Sequence, residues 1–98
     1  MEFSIGQVVF SKAGRDKGCA FVIVNIDGEY LHLVDGKLRP MENPKKKKAK
    51  HLQPTKAVDA PLKQAIESGQ SINGQLKNAD FRSVLARFER ERKEDSHG

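Results

Sequence analysis

Hydrophobic and polar positions divide this chain into two halves of different period. In the first half, Gln7 to Ser11 (QVVFS) is β-branched and aromatic, and Cys19 to Ile26 (CAFVIVNI) is apolar on both faces. In the latter, alternation sets Ala20, Val22, Val24 and Ile26 against Phe21 and Ile23, the pattern of a strand covered on both sides. Glu29 to Val34 (EYLHLV) follows after Asp27-Gly28, and Lys37 to Met41 follows after Asp35-Gly36. Asp-Gly between strand-like segments signals a type I′ hairpin, so the two turns predict a three-stranded meander. A last short strand is expected at Lys50 to Gln53. Five short strands in so few residues suit a small barrel, in which closure removes exposed edges.

The second half has helical period. Asp59 is placed to cap a helix, Pro61 suits its first turn and Gly69 its end, with Leu62, Ala65 and Ile66 on one face. A link through Ser71-Ile72-Asn73-Gly74 leads to a second helix opening at Asn78 or Asp80. There Phe81, Val84, Leu85 and Phe88 recur at i, i+3, i+4 and i+7, one apolar stripe. This stripe is the expected cover for the second face of the long strand, assigned to Phe21 and Ile23; a docking site for another protein is the alternative. Beyond it, ERERKED is polar all round and is expected to fray. The division predicted is a barrel over residues 1–56 and a helical extension packing on it over 57–98.

Charge changes the picture more than composition does. The 98 residues carry a net charge of +5, with 37% hydrophobic and 32% charged side chains, enough for one modest core. Between Gly36 and Lys56 stand Lys37, Arg39, Lys45, Lys46, Lys47, Lys48, Lys50 and Lys56 against Glu42 alone, a local net of +7. The remainder nets −2. One basic block on a nearly neutral body favours a polyanionic partner. The block at Lys45 to Lys48, with no apolar anchor, is expected to be a mobile loop. No apolar run approaches the length of a membrane span, the first residues lack the features of a signal peptide, and one cysteine makes no internal disulfide. A cytoplasmic protein, monomeric when free, is the expectation.

The stretch SKAGRDKG, Ser11 to Gly18, is the second basic element. Gly14 and Gly18 bracket Arg15, Asp16 and Lys17. Glycine permits positive φ and close backbone approach, and Lys12, Arg15 and Lys17 on such a turn can reach phosphate oxygens without reading bases. An ordinary charged β-turn is the competing reading.

These residues also resemble the KOW motif: a strand such as Gly6-Gln7-Val8-Val9-Phe10, a G-x-x-K-G turn at Gly14 to Gly18, then an apolar strand. KOW domains are small SH3-like barrels of ribosomal proteins and NusG-type transcription factors. VVFSKAGRDKG, LVDG (Leu33 to Gly36) and HLQPT (His51 to Thr55) are similar to bacterial KOW-domain RNA-binding proteins, themselves similar to large-subunit ribosomal proteins of archaea and eukaryotes. Phe21 stands where many KOW sequences, notably the NusG-like branch, have a further glycine. The resemblance implies a mainly β fold, an SH3-like five-stranded barrel with a C-terminal α-helical extension. It also implies translation-related binding of structured RNA, ribosomal RNA foremost. The RNA-binding residues expected are Lys12, Gly14, Arg15, Lys17, Gly18, Lys37, Arg39, Lys45, Lys46, Lys47, Lys48 and Lys50.

Catalysis is not expected. His32, His51 and His97 are scattered and one cysteine gives no zinc spacing, so neither metal nor cofactor is anticipated. His32 reads as a strand surface residue and Cys19 as a small, partly buried packing residue. With six aromatics and no tryptophan, stacking is poorly provided for; Tyr30 is the one candidate, and packing is its simpler role. The competing function class is a protein-interaction adaptor, with a ribosomal or transcription-factor protein as partner.

Overall fold

Alternating apolar positions become a five-stranded antiparallel sheet in the computed structural model, which describes residues 3–69 and 75–95. The strands are β1 (Gln7–Ser11), β2 (Ala20–Asp27), β3 (Tyr30–Val34), β4 (Lys45–Lys48) and β5 (Leu52–Val58), in the order β4-β3-β2-β1-β5. A 3-10 turn, Ala49–His51, joins β4 to β5. Two helices follow, α1 (Ala60–Glu67) and α2 (Asn78–Asp95). The link at Ser71 to Gly74 and His97 lie outside the described residues.

The three residues of the 3-10 turn join strands at opposite ends of the sheet order. Edge to edge, a flat five-stranded sheet measures about 19 Å, whereas a 3-10 turn advances only about 2 Å per residue. The sheet is therefore curled, bringing its edges together at this turn. Its concave face buries Val9, Phe21, Ile23, Leu31, Leu33 and Leu52, all at most 1% exposed.

The opposite face is the one the helices cover. Val22 and Val34 pack with Leu62, Leu76 and Phe81, joined by Val24, Met41, Ala65, Ile66, Val84 and Leu85. The two faces of β2 are thus exchanged relative to the sequence expectation: Phe21 and Ile23 point into the sheet's own core, and the Phe81 stripe covers Val22. Alternation shows that two faces exist, and only tertiary packing decides which is which.

α1 begins as its sequence implies. Asp59 caps it, its carboxylate accepting from Leu62 N–H at 2.9 Å, and Pro61 lies in the first turn. The same carboxylate pairs with Arg87, fastening α1 to α2. The polar segment Glu89 to Asp95 does not fray but continues α2, with Arg87–Glu91 and Arg92–Glu89 pairs along the helix. Phe88 stacks on Phe10 at 5.7 Å between ring centres, and the Arg92 guanidinium lies 4.8 Å from the Phe10 ring.

Two further expectations are corrected here. No strand forms at Lys37 to Met41, because Asp35 uses its side chain to build a local loop. Its Oδ1 accepts from Lys37 N–H at 2.8 Å and Arg39 N–H at 2.9 Å. β3 is paired instead with the lysine run, in the register Leu33↔Lys45, His32↔Lys46, Leu31↔Lys47 and Tyr30↔Lys48. In the β2–β3 hairpin, Gly28 has positive φ (61°) and, among the described residues, no non-glycine residue does, so the turn follows the II′ rather than the I′ pattern.

Candidate nucleic-acid interface

The β1–β2 turn is built by backbone hydrogen bonds. Ser11 N–H donates to Cys19 O at 3.0 Å and Gly18 N–H to Ser11 O at 2.8 Å, closing the base. Lys17 N–H donates to Gly14 O at 3.2 Å and Cys19 N–H to Asp16 O at 2.8 Å, folding the tip. Gly14 (φ 78°) and Gly18 (φ 87°) both occupy the left-handed region. No atom would lie within 4 Å of a Cβ on Gly18, so its requirement is conformational and not a close approach.

β4 then reaches across to this turn. Lys47 Nζ donates to Ser11 Oγ and, at 2.8 Å, to Ala13 O, while Ser11 Oγ itself donates to Ala13 O at 2.9 Å. Lys45 pairs with Asp16 Oδ2. That bond holds the Asp16 carboxyl below its usual range against the opposing effect of burial, with Arg39 and Lys47 adding their charge. Period-two alternation sends Lys46 and Lys48 the other way, where their ammonium groups lie 5.1 and 5.7 Å from the centre of the Tyr30 ring; Lys48 also pairs with Glu29 at 3.4 Å. The lysine run is therefore a strand with two kinds of lysine, not a mobile loop.

The two basic elements of the sequence thus form one. Lys12, Arg15 and Lys17 on the turn are exposed and make no side-chain ion pair among the described residues. Lys12 N–H donates to His51 O at 2.8 Å, which sets the turn against exposed Lys50. From the 35–40 loop, Arg39 stands near enough to act on Asp16, and Lys37 is exposed. Lys46 and Lys48, on the far face of β4, are not gathered with the turn cations.

Two smaller expectations need revision. Cys19 is exposed rather than partly buried. His32 is half-buried on β3, its Nε2 enclosed without a hydrogen-bond partner among the described residues. Tyr30 is half-buried beneath two lysines, in keeping with packing. Sequence reasoning also missed Ser11 as an acceptor for Lys47. The signal available was the polar residue ending an otherwise apolar strand. It missed Leu38 as well, whose 87% exposure contradicts a place in a strand.

Among the described residues no cluster of histidine, cysteine and carboxylates is placed to hold a metal ion, and no helix is long and apolar enough to cross a membrane. No protein-family model matches the chain, and the search of curated proteins finds no match.

Proposed function

We propose that this protein is a non-catalytic RNA-binding protein, an SH3-like KOW barrel with a helical cover, that grips structured RNA by its phosphates and shape. Ribosomal RNA is the leading class of target. The observation carrying the proposal is the braced turn. Two β4 lysines spend their ammonium groups holding the β1–β2 turn, which leaves Lys12, Arg15 and Lys17 displayed without internal ion pairs on a fixed frame. A solvated charge run would need no such frame, and phosphate contacts on a rigid support position an RNA. The short link between the edge strands supports the barrel reading, since three residues join the end of β4 to the start of β5.

Titration of a structured RNA at several salt concentrations tests the proposal. Each phosphate contact contributes a salt slope of ~0.7–0.9. Replacing Lys12, Arg15 and Lys17 together by glutamine should weaken binding and lower the slope by about 2–3 units, with the melting temperature unchanged. An unchanged slope would remove the turn from the interface. Stronger competition by duplex DNA than by RNA would favour a DNA-coating protein. The adaptor reading through the α2 stripe is less favoured, because Phe81 is buried against Val22 and Val34 with Val84 and Leu85 packed beside it.

A further inference from the structure

Leu38 is the most exposed large hydrophobic residue of the described chain, at 87%. A single exposed leucine needs no explanation by itself. This one stands on a loop that is held so as to keep it out. Besides the two bonds to Asp35 Oδ1, Asp35 N–H and Gly36 N–H both donate to Arg39 O, at 3.0 and 3.2 Å. The loop's base is bolted to α2. Arg82 Nη1 donates to Gly36 O at 2.7 Å and Met41 N–H donates to Asn78 Oδ1 at 2.8 Å. Buried Gly36 (φ 79°) lies so close beneath the helix that a Cβ would collide with Asn78 O and come within 2.9 Å of Arg82 Cγ.

So constrained, the loop holds Leu38 in its exposed position. Lys37 and Arg39 flank it in the chain, and Arg39 is near enough to the β1–β2 turn for its charge to act on Asp16. An apolar tip between two cations complements an anionic partner that offers an apolar surface between its charges. RNA with an unpaired or bulged nucleotide is such a partner: phosphates lie on either side of an exposed base face. Apolar side chains act as wedges at base steps in other nucleic-acid complexes.

We infer that Leu38 is a wedge that packs against an unstacked base while Lys37 and Arg39 hold the neighbouring phosphates, so that the protein prefers RNA with interrupted stacking over continuous duplex. This inference rests on the RNA-binding reading above. The test compares an uninterrupted RNA duplex with the same duplex carrying one bulged nucleotide, using wild type and Leu38→Ala. Since Leu38 is 87% exposed, its truncation should leave the fold intact. Wild type should prefer the bulged RNA. Leu38→Ala should lose on the order of tenfold in affinity for it while keeping its affinity for, and salt slope on, the plain duplex. With 2-aminopurine beside the bulge, fluorescence should rise on binding wild type and stay flat with the variant. Salt-sensitive binding of both RNAs that Leu38→Ala leaves unchanged would overturn the wedge alone. Equal losses on both RNAs would also overturn it. Failure of wild type to bind either RNA at low salt would overturn the RNA reading together with it.

Discussion

Lys46 and Lys47 are adjacent and chemically identical, yet the structure gives them opposite tasks, and a pair of substitutions separates these. Lys47→Met keeps the aliphatic stem along the sheet and deletes the ammonium that serves Ser11 Oγ and Ala13 O. A hydrogen bond to a charged group contributes ~1.5–3 kcal/mol when well buried. Lys47 is only half-buried and water can replace part of what is lost, so the two bonds together should contribute roughly 1–2 kcal/mol. For a chain of this size that is a fall in melting temperature of about 5–15 °C. Lys46→Met loses an exposed ammonium over Tyr30, roughly 0.5 kcal/mol or less, a shift of at most about 4 °C. Thermal melts of the two variants, with amide exchange at Lys17 and Gly18, make the comparison. Lys47→Met should speed exchange of the Gly18 N–H bonded to Ser11 O, and Lys46→Met should leave it protected. Equal melting temperatures for the two variants would refute the bracing role of Lys47.

Other outcomes follow from burial and backbone geometry. Phe81→Ala should cost roughly 3–5 kcal/mol in denaturant unfolding, since Phe81 is 1% exposed, while half-buried Phe88→Ala should cost distinctly less; the reverse order would contradict the assigned packing. Gly36→Ala should destabilise more than Gly18→Ala. Both residues have positive φ, costing about 1–2 kcal/mol, but only at Gly36 does the added methyl meet the α2 backbone. The Asp16 carboxyl is held below its usual range in the folded protein, so its contribution is complete at neutral pH and is lost as pH falls through that lowered value. The stability difference between wild type and Asp16→Asn, measured by urea unfolding, should therefore shrink below about pH 4.

Much of this architecture is legible in the chain. QVVFS marks β1 with its observed bounds, the second and third strands lie within a residue of their expected limits, and Asp59, Pro61 and Gly69 frame α1. Where reading by pattern fails, the cause is tertiary. Four consecutive lysines repel one another and have no apolar alternation, so nothing local makes them a strand. They become one because β3 needs an edge partner and because Asp16, Ser11, Ala13 and the Tyr30 ring offer places for the ammonium groups. Asp35-Gly36 carries the residues of a hairpin turn, but Asp35 closes a loop with its side chain and Gly36 yields space to a helix more than 40 residues further on. The turn cations could be named from sequence, whereas the frame that fixes them and the exposure of Leu38 arise only from the pairing of distant segments.

The burial of Val22 and Val34 beneath α2 bears on how the protein is made. Both valines leave the ribosome long before Phe81, and β1 cannot complete its pairing until β5 has followed. Until α2 docks, Val22 and Val34 lack their cover, and any sheet formed before that leaves an apolar face open to water. At that stage the nascent chain is exposed to wrong partners. Native packing is reached only when the stripe from Phe81 to Leu85 docks on Val22 and Val34.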